Sequence, residues 1–318
     1  MSLLELCVHD VRQESVDVRV FDLRRADNGE LPPFSAGAHI DVQLEAGLVR
    51  QYSLLNHQNE RFRYVIGVKR EPAGRGGSMR MHDQLKPGDK LLISPPRNHF
   101  PLDDTAVHSV LIAGGIGITP IWSMAQHLAS LGRSWTLHYA SRSRQAASLI
   151  DALQTLAGTA DSSRVFLHFG DSGESRLNIP ALVRDAPHGT QFYCCGPPRL
   201  LEAFEAACIR LPARQVHLER FGMIAPPATG GRFSVKLARS GGTIHVHPGQ
   251  TILDALQAGG VSVSYSCREG VCGQCETGVL AGTPDHRDAL LTDAERAAGH
   301  TMMICCSGSL SETLTLDL

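Results

Sequence analysis

The chain has 318 residues, and single hydrophobic cores stop growing near ~250–300 residues, so two or three domains are expected. A composition of 42% hydrophobic and 19% charged residues excludes a disordered chain. The 30 Lys+Arg against 32 Asp+Glu leave a formal net charge of −2, which excludes a polycation built for nucleic acid or an anionic membrane surface.

The longest apolar stretch, SVLIAGGIGITPIW at 109–122, is too short to span a bilayer and is broken by three glycines and a proline. The N-terminus MSLLELCVHDVRQES has no basic start, adequate apolar run or small-residue cleavage site. A cytoplasmic protein without membrane attachment is expected. In that reducing compartment the nine cysteines, an odd number, argue against a disulfide framework.

The first hundred residues read as strands. HIDVQL (39–44), RQYSLLN (50–56), RFRYVIGVKR (61–70) and DKLLISP (89–95) are β-branched or alternating, with the turn signals EAG, HQNE and KPGD between them. This spacing predicts a small antiparallel β-barrel over 1–103. From 104 to 225 strands alternate with helices. SVLIAGG (109–115), WTLHYAS (135–141), RVFLHFG (164–170) and TQFYCCG (190–196) are strands, and ITPIWSMAQHLASLG (118–132), AASLIDALQTLAG (146–158) and PRLLEAFEAACIRL (198–211) are helices. Such alternation implies βαβ units around a parallel sheet, an α/β domain. Residues 226–231 fall in a Pro/Gly-rich linker, APPATGG.

A third unit spans 232–318. RFSVKLARSGGTIHVHPG reads as a hairpin turning at SGG, TILDALQAGG as a short helix with a glycine stop, and ETLTLDL as a closing strand. Thr292 and Glu295 have capping-box spacing ahead of Gly299. His245 and His247 alternate on a strand and share a face, but no third ligand accompanies them, so surface histidines are expected.

The sharpest signal is Cys267-x4-Cys272-x2-Cys275, with Cys305 after 29 intervening residues, the spacing of plant-type [2Fe–2S] sites. Three thiolates must converge on one small cluster, so one tight loop supplies them. Gly270 and Gly273 let that loop fold closely around the sulfides. A zinc site would use paired C-x2-C knuckles, whereas the second pair here is the adjacent Cys305–Cys306. Neighbours on a regular strand point to opposite faces and cannot share a metal. Cys305 is taken as the fourth ligand, because Cys306 would lengthen the gap to 30. The unit resembles plant-type ferredoxins, which implies a β-grasp fold. It carries six Lys/Arg and nine Asp/Glu, and a bound cluster would add negative charge. A docking partner with basic residues would be steered to it.

Arg50-Gln51-Tyr52-Ser53-Leu54 lies on a predicted barrel strand, with Arg50, Tyr52 and Leu54 on one face and Gln51 and Ser53 on the other. The glycine-rich segment Gly74–His82 feeds a short helix, where free backbone N–H groups attract phosphate. Together, upstream of a βαβ unit, the two segments resemble the ferredoxin–NADP reductase superfamily. The resemblance implies that Arg50 pairs with a flavin phosphate, Tyr52 packs on the isoalloxazine and Ser53 lies near N5. It further implies that Gly76, Gly77, Ser78 and Met79 contact the phosphate.

Gly114-Gly115-Ile116-Gly117-Ile118-Thr119-Pro120 follows a buried strand and opens a helix, the context of a dinucleotide phosphate loop. Pro120 replaces the third glycine of the Rossmann fingerprint, and the acid about 20 residues later is missing. The reductase superfamily uses such a loop with Thr-Pro, and its Cys-Gly-Pro turn meets the nicotinamide; the matching residues are Cys195, Gly196 and Pro197. Cys194 reads as core packing. In relatives an aromatic after the last strand covers the flavin, and Phe221 is the candidate.

Flavin barrel, nicotinamide domain and C-terminal ferredoxin follow one another in a single chain. This order resembles the phthalate dioxygenase reductase family, which includes vanillate demethylase reductases, over essentially all of the sequence. Asp285-His286-Arg287-Asp288 also resembles that family's ferredoxin domain. The resemblance implies FMN as the flavin, NADH as donor and a separate Rieske-type oxygenase component as acceptor, with the chain a monomer. Arg142 and Arg144 leave NADPH open, since arginine beside the adenosine ribose accommodates a 2′-phosphate. Hydride would pass from nicotinamide C4 to flavin N5, and single electrons would leave through the cluster. Ser53, Cys195 and Phe221 are the candidate catalytic residues. The alternatives are the same chemistry serving a non-aromatic monooxygenase, such as one acting on a quaternary amine, and a redox sensor without turnover.

Overall fold

The computed structural model describes residues 3–45, 48–158, 163–171, 176–223 and 225–318. They fall into two compact units, Met1–Glu219 and Arg220–Leu318.

The first unit opens with β1 (Leu4–Ser15), β2 (Val18–Arg24), β3 (His39–Glu45), β4 (Leu48–Ser53), β5 (Tyr64–Lys69) and β6 (Lys90–Ile93), with α1 (Gly77–Asp83) between the last two. The six strands run antiparallel in the order β4-β3-β6-β1-β2-β5. A bridge between Leu54 and Ile66 ties the two ends of that order into a barrel. Leu6, Phe21, Leu23, Ile40, Val42 and Ile66 fill its interior. Within the barrel, the β1–β2 hairpin is missed by sequence patterning. Its pairing slips between Val8 and Asp10 and again between Gln13 and Ser15, and each slip breaks the period-2 alternation that marks a strand.

The same unit continues as an α/β layer. Its strands are β7 (Ser109–Gly114), β8 (Trp135–Ser141), β9 (Ser163–Phe169), β10 (Gln191–Cys195) and β11 (Val216–Glu219), and its helices are α2 (Ile118–Ser130), α3 (Ile150–Ala157), α4 (Ile179–Asp185) and α5 (Pro198–Cys208). All five strands are parallel, in the order β11-β10-β7-β8-β9. Alternate residues serve opposite faces. Trp135, Leu137, Tyr139 and Cys195 pack with α2 and α3, and Val110, Ile112, Phe192 and Cys194 pack with α4 and α5. Cys194 is thus a core residue. The third helix starts at Ile150, later than its pattern predicts, because Leu149 takes a left-handed φ of 63°. The preceding backbone is drawn away, Ser148 N–H donating to Tyr139 Oη at 3.0 Å and Leu149 N–H to the Glu14 carboxylate at 2.9 Å.

The second unit comprises β12 (Phe233–Leu237), β13 (Thr243–Val246), α6 (Ile252–Ala258), β14 (Glu276–Ala281), β15 (Pro284–Asp285), α7 (Asp293–Ala298), β16 (Thr301–Met303), β17 (Gly308–Ser309) and β18 (Thr313–Leu316). The sheet order β13-β12-β18-β14-β16, with β12 and β18 parallel and the other pairs antiparallel, is a β-grasp. Ile252, Leu253 and Leu256 of α6 pack on its core. The Thr292–Glu295 capping box forms, and Gly299 ends α7 at φ 64°. A second box, Thr251–Asp254, starts α6. Among the described residues no helix is long and apolar enough to cross a membrane.

Candidate active site

In the α/β sheet the strand order reverses between β7 and β10, and ligands of such sheets bind in the crevice at the carboxyl ends of the strands flanking that point. The two predicted nicotinamide segments meet there. Cys195 is paired with Ala113 across the two strands, so the turns Gly114–Gly117 and Gly196–Pro197 emerge side by side. Their fit is tight enough to require glycine. A Cβ on Gly117 would stand 2.2 Å from the Cys195 carbonyl oxygen. Thr119, buried in the first turn of α2, donates its hydroxyl to Ile116 O at 3.0 Å and fixes the loop, and Pro120 follows it in the same turn.

Helix α2 also anchors the barrel. Ser123 Oγ donates to Asn56 O at 3.2 Å and Gln126 Nε2 to Leu55 O at 2.8 Å, while Trp122 packs on Val20, Leu55 and Val65. These contacts hold the end of β4 against the α/β layer. Ser53 there is 4% exposed and hydrogen-bonds to the carboxyl of Glu219 at the end of β11. Glu219 in turn accepts from the Cys195 thiol, 4.0 Å away. Burial pushes the Glu219 carboxyl up to about 8, against the Ser53 hydrogen bond. Burial, and then the Glu219 charge, push the Cys195 thiol well up. The site therefore holds three polar side chains that keep their protons near neutrality.

Ser53 and Cys195 are catalytic candidates from the sequence, together with Phe221, but Glu219 is not among them. The clue was its place at the carboxyl end of a parallel strand, and β11 is four residues long, too short for a pattern to declare it. Phe221 is 45% exposed at the start of the second unit. Arg142 and Arg144 are exposed in the loop after β8.

On β4, Tyr52 lies opposite Ile40 and Arg50 opposite Val42, which puts both on the core-facing side of the strand. The Tyr52 hydroxyl is buried without a hydrogen-bond partner among the described residues, and burial pushes its pKa up. An orphaned buried hydroxyl costs ~1–3 kcal/mol, which fits a seat for a polar cofactor. Helix α1 begins beside Arg50. A Cβ on Gly77 would fall 2.6 Å from Arg50 Cγ, and Gly76, at φ 84°, starts the helix with no side-chain cap. Free N–H groups and a guanidinium thus share one place. Ser78 and Met79 are occupied otherwise: the Ser78 hydroxyl accepts from Glu71 N–H at 3.0 Å, and Met79 Sδ lies 3.2 Å from Arg70 Nε. His82, bonded to Val68 O at 2.8 Å, pins α1 to β5.

In the second unit Cys267, Cys272, Cys275 and Cys305 are 2–3% exposed. The Cys267 thiol meets those of Cys272 and Cys305. Glu269 N–H donates to Cys267 Sγ at 3.3 Å and Gln274 N–H to Cys272 Sγ at 3.5 Å, the backbone donation that a cluster loop needs. Arg268, Gly270 and Gly273 all take left-handed φ values, of 57°, 65° and 69°. Arg268 is held there by Asp254 at 3.0 Å and by Tyr265, whose ring centre lies 4.8 Å from the guanidinium. Cys305 and Cys306 lie in a turn after β16, so strand alternation does not separate them. The Cys305 thiol meets that of Cys267, whereas Cys306 Sγ lies against the Cys305 thiol, Met303 O at 3.7 Å and Ser307 Oγ at 3.9 Å. Among the described residues no group of three or more His, Cys, Asp or Glu could hold a single metal ion. His245 is exposed and bonds Ser234 Oγ at 3.1 Å; His247 is exposed as well.

Three family models match successive parts of the chain. Residues 5–101 match the family model of an oxidoreductase FAD-binding domain, 111–206 an oxidoreductase NAD-binding domain, and 235–308 a 2Fe-2S iron-sulfur cluster binding domain. Phenoxybenzoate dioxygenase subunit beta of Ectopseudomonas oleovorans is 57% identical over 318 residues, covering 100% of this chain and 98% of the relative. Vanillate O-demethylase oxidoreductase of Pseudomonas sp. (strain HR199 / DSM 7063) is 40% identical over 321 residues, 99% of this chain and 100% of the relative. The solved structure of phthalate dioxygenase reductase, described as a modular structure for electron transfer from pyridine nucleotides to [2Fe-2S], superposes with a TM-score of 0.74 at 36% identity, covering 100% of this chain and 98% of the other. The chain belongs to the phthalate dioxygenase reductase family. It is an NAD(P)H-dependent oxidoreductase with flavin-binding, NAD-binding and [2Fe–2S] domains.

Proposed function

We propose that this family member is the reductase component of a two-component oxygenase whose terminal component is of the Rieske type and acts on an aromatic compound. The observation that carries the reading is the meeting of Ser53, Glu219 and Cys195 where the barrel joins the crevice of the parallel sheet. A donor of hydride and its acceptor need to be held within ~3–3.5 Å of each other, and this is where two cofactor domains converge. A bound flavin would take the electron pair of one hydride and yield electrons one at a time, the currency of an iron–sulfur cluster. The chain supplies position and protonation state. Gly114, Gly115, Gly117, Thr119 and Pro120 receive the dinucleotide phosphates, and Cys195, Gly196 and Pro197 orient the nicotinamide. Ser53 holds the hydride-accepting edge. Phe221 keeps the covering role that the family resemblance assigns.

The flavin is FMN in this reading. Its one phosphate suits the seat shared by Arg50 and the backbone of Gly76, Gly77, Ser78 and Met79, and Tyr52 packs on the ring. Cys267, Cys272, Cys275 and Cys305 ligate the cluster. The donor is NADH; the exposed Arg142, 3.6 Å from Asp17, already has a carboxylate partner. The protein is a cytoplasmic monomer in this reading. The test is reconstitution. Extracted flavin should be FMN by mass, and NADH should drive reduction of the Rieske centre of an oxygenase component that attacks an aromatic ether or acid. Reduction of a haem monooxygenase in its place, with the Rieske protein untouched, would reassign the partner.

A further inference from the structure

The sequence Asp285-His286-Arg287-Asp288 has no part in the site described so far, yet the fold carries it to the back of the cysteine loop. Strand β15 pairs with β17, Asp285 opposite Gly308. The residues that follow run beside the Cys305 turn, Arg287 N–H donating to Ser307 Oγ at 3.1 Å. Ala289 N–H then donates to Gly270 O at 2.9 Å, inside the Cys267–Cys275 loop. The approach leaves no room for a side chain at 270. A Cβ there would lie 2.9 Å from Asp288 Cα, 3.2 Å from Asp288 Cβ and 2.5 Å from Cys306 Sγ.

The Asp288 side chain is completely buried. Its Oδ2 accepts from Leu290 N–H at 3.1 Å and Leu291 N–H at 2.8 Å. Its Oδ1 has no hydrogen-bond partner among the described residues. Arg296 donates to the Asp288 carbonyl at 2.8 Å, pairs with Asp293 at 3.5 Å and stands 3.9 Å from Oδ2. His286 faces Oδ1, its Nδ1 3.8 Å away, and the Cys306 thiol also lies within the reach of the carboxyl's charge. The His286 ring is itself 9% exposed, and neither of its nitrogens finds a partner among the described residues. Two buried polar side chains left short of partners are expensive, and an under-compensated carboxyl acts strongly on neighbouring charge in a low-dielectric interior.

We propose that Asp288 is a positioning residue that sets the reduction potential of the cluster, with His286 as the group that partly offsets it. This rests on the reading of Cys267, Cys272, Cys275 and Cys305 as ligands. The step concerned is uptake of one electron, delivered from the flavin side of the same chain; no bond forms or breaks and no proton moves. A carboxylate behind the loop opposes the arriving negative charge and so keeps the centre a strong reductant. Withdrawing the His286 ring strengthens that opposition. The two residues therefore act with opposite sign, which a purely structural pair would not do.

The test is a redox titration of the loaded holoenzyme, followed by visible absorbance and by the EPR signal of the reduced cluster. Asp288→Asn keeps shape and acceptor but removes charge. It should favour cluster reduction about tenfold, a rise of ~59 mV for one electron, with the flavin potential and the EPR line shape unchanged. His286→Phe should shift the cluster the other way. An Asp288→Asn protein with full iron content and the wild-type potential overturns the proposal. Should that variant fail to hold iron, His286→Phe decides alone: a lowered potential supports the proposal, and an unchanged or raised one overturns it. A wild-type protein with no reduced-cluster signal would overturn the ligand reading itself, and is told apart by the absence of iron.

Discussion

Glu219→Gln isolates the carboxyl that meets Ser53 and Cys195. Burial raises this group from 4.5 to about 8. Below pH 4.5 it is neutral in both folded and unfolded chains and costs nothing. Between 4.5 and about 8 the unfolded chain ionises while the folded one holds its proton, so stability falls as pH rises; above about 8 the loss is complete. At ~1.4 kcal/mol per pH unit the full cost is on the order of 5 kcal/mol. Glutamine keeps the shape and an acceptor for Ser53 but never ionises. The stability gained by the variant over wild type should be near zero at pH 4, grow through pH 5–8 and then level, as read from guanidinium unfolding at fixed ionic strength. Kinetics should follow the same curve. With a pKa of about 8, roughly a tenth of the carboxyl is ionised at pH 7 and most of it at pH 9. A carboxylate there opposes the arriving negative charge of a hydride. Stopped-flow reduction of the flavin by NADH should therefore slow in wild type above pH 8 and stay flat in the variant. Superimposable pH profiles for the two proteins would refute the reasoning.

Tyr52→Phe removes the orphaned hydroxyl: the flavin-free protein should gain ~1 kcal/mol in thermal unfolding, while flavin affinity drops, so that a loss of stability would deny the hydroxyl its place in the flavin seat. Gly117→Ala drives a Cβ to within 2.2 Å of the Cys195 carbonyl and must part the two turns; flavin reduction by NADH should fall by ~10²-fold with flavin content intact, and an unchanged rate would remove the loop from nicotinamide positioning. Cys272→Ser should spare flavin reduction but abolish cluster-dependent reduction of cytochrome c; residual cytochrome c activity at the wild-type level would mean that electrons leave by another route.

Much of this architecture is legible in the sequence because its signals are local. Cys267-x4-Cys272-x2-Cys275 must lie in one loop, and Gly114–Pro120 must join a strand to a helix, whatever the rest of the chain does. What escaped is set by tertiary contact. The bulged pairing of β1 with β2 scrambles the alternation of LELCVHDVRQES. Glu219 gains its meaning only when β11 is laid beside β10, opposite Cys195. Asp288 stands out in the sequence only as part of the family-like Asp285-His286-Arg287-Asp288, and its place behind the cysteine loop shows only when Gly270 is found against its backbone. Cys305 and Cys306 were separated in sequence by a strand rule that their turn does not obey.

An anaerobic titration of the purified holoenzyme with NADH, followed by absorbance and EPR, tests the flavin-to-cluster relay most directly. A flavin that stores two electrons and a [2Fe–2S] centre that stores one should be filled by about 1.5 equivalents of NADH, bleaching the flavin and bringing up the EPR signal of the reduced cluster. Protein that carries no flavin, or whose flavin bleaches with one equivalent while no iron–sulfur signal ever develops, would contradict it.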